Sequence, residues 1–273
     1  MHKLSGVQRA FARRCLACGW WLGVAALLIQ AGSMPHAFAS TATTRLISQT
    51  NHPPKSVGQH VNLSRMFPGV VYYHGPASQK QVALTFDDGP DMRYTPQILD
   101  ILKKYHVKAT FFVLGFRAKA HPDMVRRMVR EGHTIGNHSW NHLDQVRLAP
   151  DKVRDQVVRA DKVLYPLVGY HPELFRPPYG KADPDTVRII SGMGYKVIDW
   201  SVDTRDWAGT PVPAILSLVR KEVRPGGIIL EHCAGNANVD LSNTVQALPQ
   251  VIQYLRAQGY QLVTVPQLIG TER

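Results

Sequence analysis

The stretch Val82–Pro90, which reads VALTFDDGP, joins an apolar strand pattern to two adjacent carboxylates and a turn. Val82–Phe86 has the composition of a short buried strand, and the Gly-Pro that ends the stretch favours a turn. Neighbouring side chains on a strand point to opposite faces, so Asp87 and Asp88 can serve different tasks where the chain turns. We therefore expect a strand that ends in a functional acidic pair.

The segment His138–His142, some fifty residues further along, places two imidazoles four residues apart. They would share one face if this segment were helical. One carboxylate and two neutral imidazoles are sufficient ligands for a catalytic divalent metal with open coordination positions. The second carboxylate of the acidic pair is then free to act as a base on water at that metal. The sequence predicts a hydrolytic metal centre.

From Val82 onward, strand patterns alternate with helical ones such as Pro150–Val168 and Val212–Glu222, which predicts six or seven βα units and a parallel sheet. Chemically distinctive residues fall at the ends of these strands: Asp87, Asp88, His138, Arg176, Asp203 and His232. Both a (β/α) barrel and a doubly wound open sheet bind ligands at strand ends. We expect an α/β fold, a distorted (β/α) barrel with about seven parallel strands, because every strand end contributes rather than those at one crevice.

The N-terminus has the pattern of a signal peptide over residues 1–39. Four basic residues precede an apolar run from Cys15 to Gln30, and Ala37-Phe38-Ala39 offers a cleavage site after Ala39. An uncleaved membrane anchor is the alternative, although the apolar run is short for a spanning helix. Residues 40–79 read as a flexible linker and an edge segment, with a strand or hairpin around Val70–Tyr73, and residues 80–270 form the main domain.

The charge and cysteine content agree with export. The 273 residues carry a formal charge of +12, and removal of the leader would leave +8. Such a charge suits nucleic acid, an anionic membrane or an acidic polymer such as a cell wall, and solubility alone would also account for it. No Lys/Arg cluster interleaved with aromatic residues indicates a nucleic-acid face. Of three cysteines, Cys15 and Cys18 lie in the leader, so Cys233 would have no partner for an intramolecular disulfide.

Five motifs occur in order along the chain. They are Thr85–Gly89, His138–His142, Arg176–Gly180, Asp203–Trp207 and Leu230–His232. Their composition and order resemble the polysaccharide deacetylases of carbohydrate esterase family 4, the NodB-homology domain, over roughly residues 80–268. One such motif alone would be weak support, whereas five in order at strand ends are specific. Residues 80–270 would then be the catalytic domain.

The resemblance implies a role for each acidic and basic residue near the predicted metal. Asp88, His138 and His142 would bind the metal, and Asp87 would be the general base. Arg176 would steady Asp87, and its charge should keep that carboxylate ionised. The prolines after Arg176 predict a stiff loop for this purpose.

The remaining motifs supply the other groups that an amide hydrolase needs. By resemblance, the backbone N–H of Tyr179 would help to stabilise the oxyanion. Asp203 would orient His232 and keep it protonated, so that it could donate a proton to the leaving amine. Trp207 and Leu230 would line the pocket for the acetyl methyl.

Two residues depart from the family pattern, in which an apolar residue often precedes the final histidine and an aspartate follows it. This chain has Glu231 and Cys233 at those positions. Strand alternation should turn Glu231 away from His232 and into the barrel wall, where we expect a paired carboxylate. No oxyanion arrangement requires Cys233 as a nucleophile.

The sequence thus predicts metal-dependent removal of N-acetyl groups from an N-acetylglucosamine polysaccharide, peptidoglycan first and chitin oligosaccharides second. Alternatives are an O-acetyl esterase on the same scaffold and a non-catalytic glycan-binding barrel. Zinc suits the ligands best, and cobalt, nickel or iron could replace it. The expected partners are the acetylated glycan and an anionic cell wall, with no nucleic acid and no stable protein partner. We expect a secreted or wall-associated protein, or a membrane-anchored one if the leader is retained.

Overall fold

A computed structural model of the protein describes residues 62–236 and 238–271. The predicted signal peptide, residues 1–39, and the first part of the predicted linker, residues 40–61, lie outside them. Within the described ranges, no helix combines the length and apolar character that crossing a bilayer requires.

The described chain forms one nine-stranded parallel sheet surrounded by helices, a distorted (β/α) barrel. The strands are β1 (Val71–Tyr72), β2 (Gln81–Asp87), β3 (Thr110–Val113), β4 (Thr134–Asn137), β5 (Leu174–Phe175), β6 (Lys196–Ile198), β7 (Val202–Asp203), β8 (Gly227–His232) and β9 (Gln261–Val263). The described helices are α1 (Leu63–Met66), α2 (Thr95–Lys104), α3 (Gly115–Ala120), α4 (Pro122–Arg130), α5 (Pro150–Val168), α6 (Pro184–Ser191), α7 (Val212–Glu222), α8 (Ser242–Ala257) and α9 (Val265–Ile269). Short 3₁₀ helices lie between these elements, at Gln145–Arg147, Pro178–Gly180 and Asp206–Ala208.

The strand order is β1-β6-β5-β4-β3-β2-β8-β7, and β9 pairs with the first half of β2. The strand order begins at β1 and ends at β7, and these two strands do not pair with each other. The barrel is distorted because it is not closed between them. The predicted fold is confirmed, with nine strands instead of about seven because β5 and β7 have only two residues each and show no period. The expected strand around Val70–Tyr73 is β1, which pairs with β6.

Strand β2 shows how the sequence period positions the site. Its Val82, Leu84 and Phe86 face the helices and belong to the largest apolar cluster. Ala83, which lies between Val82 and Leu84, packs inside the barrel. Side chains alternate along a strand, so Asp87, four residues after Ala83, lies on the same inner face. The register sets Asp87 opposite His232 of β8. Alternation therefore brings a carboxylate and an imidazole together at one end of the barrel.

The predicted helices at Pro150–Val168 and Val212–Glu222 coincide with α5 and α7. Helix α5 ends at Gly169, whose φ of 85° is the left-handed conformation that glycine adopts at a helix C-terminus. Helix α3 was not predicted, because its six residues are too few to display a helical period.

Candidate active site

Asp88, His138 and His142 converge at the mouth of the barrel, as the sequence predicts. Asp88 Oδ1 lies 3.5 Å from Nε2 of His138 and 3.5 Å from Nε2 of His142. One ligand atom from each of the three residues lies within 4.8 Å of the others. Asp88 takes a φ of 70° as the chain turns out of β2 toward a cis Gly89–Pro90 bond. Because of this turn, the side chains of Asp88 and Asp87 point in different directions.

The segment His138–His142 is a turn after β4, so the expectation of a shared helical face is wrong. Ser139 and His142 have φ values of 71° and 63°. The turn is held by hydrogen bonds from Ser139 N–H to Asn137 Oδ1, 2.9 Å, and from His142 N–H to Ser139 Oγ, 3.1 Å. The imidazoles meet because the chain folds back on itself.

The two imidazoles are held by contacts outside the candidate ligand set. His138 Nδ1 lies 2.7 Å from the carbonyl oxygen of Arg176, which can only accept, so Nδ1 carries the proton and Nε2 keeps its lone pair. Burial lowers the pKa of His138 to about 3, which keeps the ring neutral. The rings of His142 and Tyr179 are in an edge-to-face arrangement with their centroids 4.4 Å apart.

These residues fit a divalent metal ion. Asp88 Oδ1 is shielded from solvent and has no hydrogen-bond partner among the described residues. Such an atom is costly unless something satisfies it, and a cation between it and the two Nε2 atoms would do so. One carboxylate oxygen and two imidazole nitrogens form a common set of zinc ligands.

Asp87 and Arg176 form a buried ion pair beneath the candidate metal site. Arg176 is fully buried, and its Nη1 donates to Asp87 Oδ1 at 2.7 Å and to Thr85 Oγ1 at 2.8 Å. Its Nε and Nη2 donate to the carbonyls of Ile198 and Asp199. The guanidinium is thus fixed in one position, and the predicted contact with Asp87 is confirmed.

Burial dominates the electrostatics of Asp87. It raises the pKa of this carboxyl above the ordinary value, and the charge of Arg176 offsets only part of that rise. Arg176 therefore lowers the pKa of Asp87 but does not bring it below the ordinary value. A raised pKa makes the ionised carboxylate a stronger base.

His232, at the end of β8, is bonded to Asp206. Its Nδ1 lies 2.8 Å from Asp206 Oδ1, and its backbone N–H donates to Asp206 Oδ2 at 2.7 Å. Asp206 also accepts from Thr244 Oγ1 at 2.9 Å. Burial would lower the pKa of His232, but the charge and hydrogen bond of Asp206, with smaller contributions from Asp87 and Asp88, raise the pKa to about 9. The ring is therefore protonated at neutral pH.

Comparisons with known proteins agree with this geometry. A family model described as polysaccharide deacetylase matches residues 74–198. The chain is 39% identical over 201 residues to a peptidoglycan-N-acetylglucosamine deacetylase of Bacillus cereus, and the match covers 74% of this chain and 72% of that protein. The chain belongs to the polysaccharide deacetylase family.

Two further members show the range of the family. A chitooligosaccharide deacetylase of a Bradyrhizobium strain is 37% identical over 207 residues, with 72% of this chain and 94% of that protein covered. The crystal structure of a peptidoglycan N-acetylglucosamine deacetylase in complex with an N-hydroxybenzamide shares a TM-score of 0.72 at 38% identity, with 74% and 94% of the two chains covered. The resemblance that the five motifs indicate is confirmed, and the protein is a polysaccharide deacetylase.

In this deacetylase Asp203 does not hold His232, so that expectation is wrong. The Asp203 carboxylate accepts from the backbone N–H of Arg205 at 2.8 Å, and Asp206 makes the contacts with the imidazole. Arg205 has a φ of 54°, which turns the chain after β7 and brings Asp206 back beneath β8. The sequence shows two aspartates three residues apart, and the direction of the turn decides between them.

The deacetylase has a cavity of about 550 Å³ over these groups. Its lining includes Asp87, Asp88, His138, His142, Tyr179, Trp200, Asp203, Trp207, Leu230 and His232. Tyr179 and Trp207 are more than half exposed at its rim, and Leu230 is buried. Trp200 was not singled out from the sequence. A Cβ on Gly180 would come within 2.6 Å of the Trp200 ring, so this close contact requires glycine.

The two departures from the family pattern differ in structure. Glu231 is fully buried and neither Oε1 nor Oε2 has a hydrogen-bond partner among the described residues, so the expectation of a paired carboxylate is wrong. Burial raises its pKa well above the ordinary value. Cys233 packs beneath the acidic turn, where a Cβ on Gly89 would clash with its Sγ. Burial raises the pKa of the Cys233 thiol, which disfavours a nucleophilic thiolate.

Proposed function

We propose that this deacetylase removes N-acetyl groups from N-acetylglucosamine residues of peptidoglycan and releases acetate, with chitin oligosaccharides as secondary substrates. One observation carries the proposal: the cavity holds a buried carboxylate and a protonated imidazole on adjacent strands, Asp87 and His232, beside a set of metal ligands. Hydrolysis of an amide needs a base to activate water and an acid to protonate the amine.

Asp88, His138 and His142 would hold the metal ion, for which we propose zinc; cobalt, nickel or iron could occupy the same ligands. When bound, the ion supplies Lewis-acid polarisation of the acetyl carbonyl and lowers the pKa of a water molecule. The Nδ1–H of His138, held by the Arg176 carbonyl, fixes the ring so that Nε2 faces the ion.

The protein groups then divide the proton transfers. Arg176 occupies Oδ1 of Asp87, so Oδ2 is free to take the proton from the attacking water as its oxygen adds to the amide carbon. The backbone N–H of Tyr179 would stabilise the oxyanion. His232 donates its Nε2 proton to the nitrogen as the C–N bond breaks, and acetate leaves. Trp207 and Leu230 would enclose the acetyl methyl.

The substrate assignment is supported by the relatives and by charge. The Bacillus cereus relative is named for peptidoglycan N-acetylglucosamine. Without the predicted leader, the chain keeps a formal charge of +8, which favours association with an anionic wall. The Bradyrhizobium relative keeps chitin oligosaccharides as the second candidate.

Acetate release from intact peptidoglycan, chitopentaose and acetylated xylan tests the proposal. We expect release from peptidoglycan and, more slowly, from chitopentaose, with loss of activity after chelation and recovery on addition of zinc. Release from the xylan alone would show an O-acetyl esterase. The absence of release from every substrate, with metal bound, would show a non-catalytic glycan-binding protein.

We also propose that the protein is exported and cleaved after Ala39, because residues 1–39 have the order of basic, apolar and small residues that a signal peptidase recognises. Mass spectrometry of the protein from culture medium and wall fractions should find an N-terminus at residue 40. An intact N-terminus in the membrane fraction would show an anchor instead.

A further inference from the structure

The cavity extends beyond the proposed catalytic groups to α3 and to the loop after β8. We define the Arg117 subsite as Phe116, Arg117, Gly235 and Asn236, all of which line the cavity. The first two belong to α3, and the others follow His232 by three and four residues. The five motifs assign no role to any of them. A glycan with one acetyl group at the metal ligands would extend along this cavity and could contact the subsite.

Arg117 is anchored but has unused hydrogen-bonding capacity. Its Nη2 donates to the carbonyl of Gly235 at 2.7 Å. Its Nε is buried and has no hydrogen-bond partner among the residues that the structure describes, and no described carboxylate forms an ion pair with Arg117. A guanidinium has five N–H donors in a planar fork. The guanidinium is therefore oriented by one contact, and the other donors on its two terminal nitrogens have no acceptor among the described residues.

The contrast with Arg176 indicates what that acceptor is. Arg176 is buried and its charge is neutralised by Asp87, whereas Arg117 is the only Lys or Arg among the described residues that line the cavity. A planar fork of this kind recognises a carboxylate in bidentate fashion. An uncompensated guanidinium in a substrate cavity thus favours a substrate that itself carries a carboxylate.

Phe116 adds an apolar surface beside this charge. Its side chain is 40% exposed, and its ring centroid lies 5.5 Å from Arg117 Cζ. An exposed aromatic ring beside a polar anchor is typical of ligand sites that orient an amphipathic group. The C–H face of a sugar ring is such a group. Phe116 and Arg117 together suit a sugar that carries an acidic substituent.

We propose that the Arg117 subsite binds a carboxylate on the glycan next to the N-acetylglucosamine residue that is deacetylated. The inference rests on the proposed function and narrows its substrate class from N-acetylglucosamine polymers in general to anionic ones. Chitin oligosaccharides carry no carboxylate. Peptidoglycan offers two sources of one: the lactyl group of a muramic acid that carries no peptide, and the stem peptide where it is attached to that lactyl group.

The test compares Arg117→Gln with the matched control Lys119→Gln. Lys119 is an exposed cation of the same helix that does not line the cavity, so its substitution removes an equal charge elsewhere. Three substrates are used: chitotetraose, a peptide-free tetrasaccharide of alternating N-acetylglucosamine and N-acetylmuramic acid, and the same tetrasaccharide with stem peptides. The rate of acetate release gives kcat and KM for each.

We expect Arg117→Gln to lower kcat/KM about tenfold on a carboxylate-bearing substrate, mainly through KM, because one charge-assisted contact is worth about a factor of ten. Its rate on chitotetraose and all rates of Lys119→Gln should stay within about twofold. The stem peptide converts the lactyl carboxyl to an amide, so the two tetrasaccharides carry different carboxylates. A loss confined to the peptide-free tetrasaccharide assigns the lactyl carboxylate, a loss confined to the peptide-bearing one assigns the peptide, and a loss on both shows that a carboxylate from either source binds.

An equal loss on chitotetraose would overturn the proposal, because it would show that Arg117 only supports the Gly235 loop. Unchanged rates on all three substrates would overturn it as well. If Arg117→Gln is poorly folded, Arg117→Lys keeps a donor for Gly235 and the charge, and it should still show a selective rise in KM for the anionic glycans. Failure of the wild-type protein to release acetate from any substrate would refute the proposed function rather than the subsite.

Discussion

Asp87 and Glu231 are two buried carboxylates on paired strands, and their surroundings are opposite. Asp87 ends β2 on the inner face of the barrel, where Arg176 donates to it at 2.7 Å. Glu231 lies on β8, one residue before His232, and its side chain faces the helix layer with no hydrogen-bond partner among the described residues. Both are at most 3% exposed.

The difference shows that burial alone does not mark a functional carboxylate. Burial raises the pKa of both groups. Asp87 forms an ion pair with Arg176, which offsets part of this cost, and it faces an open cavity in which its second oxygen can act. Glu231 has no hydrogen-bond partner among the described residues and does not line that cavity. The charge of Asp206 raises its pKa further, and the charge of His232 offsets only part of the rise. We therefore expect it to be a neutral acid that weakens the fold at high pH and takes no part in catalysis.

Removing the charge of Asp87 should have the largest effect. Asp87→Asn keeps the size of the side chain and an oxygen for Arg176, but it removes the proposed base. We expect kcat for acetate release to fall by about 10³-fold, within the range for loss of a general base. Metal analysis should show unchanged metal content. Near-wild-type turnover would mean that another group is the base.

The partner of His232 should have the next largest effect. Asp206→Asn removes the charge that raises the pKa of His232 to about 9, and we expect kcat to fall by about 10²-fold at pH 7. His232 must be protonated to act as an acid, so the rate falls as pH rises through its pKa. The alkaline limb of the pH profile should therefore shift to lower pH in this variant.

Asp203→Asn is the matched control, since Asp203 lines the same cavity but bonds to Arg205 N–H instead of the imidazole. Its alkaline limb should coincide with that of the wild type. If the alkaline limb shifted in Asp203→Asn and not in Asp206→Asn, Asp203 rather than Asp206 would be the partner of His232.

Glu231→Gln should change stability and leave activity within about twofold. Because burial raises the folded-state pKa of Glu231, the unfolded chain loses this proton at a lower pH than the folded chain does. The unfolding free energy of the wild type should therefore decline as pH rises above the unfolded-state pKa, by at most about 1.4 kcal/mol per pH unit from this group. Gln cannot titrate, so the variant should lack that part of the decline.

Urea denaturation at pH 5, 6.5 and 8 measures this effect. The advantage of the variant over the wild type should grow with pH. A constant difference across the three pH values would show that Glu231 has a satisfied, unshifted carboxyl, and the contrast with Asp87 would no longer hold.

Local sequence patterns were enough to predict most of the helices and strands and the candidate metal ligands. The helices at Pro150–Val168 and Val212–Glu222 follow from apolar periodicity. The chemistry of Asp88, His138 and His142 indicates a metal wherever they meet. Local patterns failed at the His138–His142 turn, where two left-handed residues replace the expected helix, and at β7, whose two residues are too short to show a period.

The sequence by itself determined the residue types that a metal-dependent deacetylase needs, their order, and the strand ends at which they lie, because these depend on side-chain chemistry and local period. The tertiary structure decided which aspartate holds His232, which carboxylate is left unpaired, and which arginine keeps free donors. Those outcomes depend on the direction of turns and on contacts between strands distant in sequence, such as the pairing of β2 with β8. No local pattern contains that information.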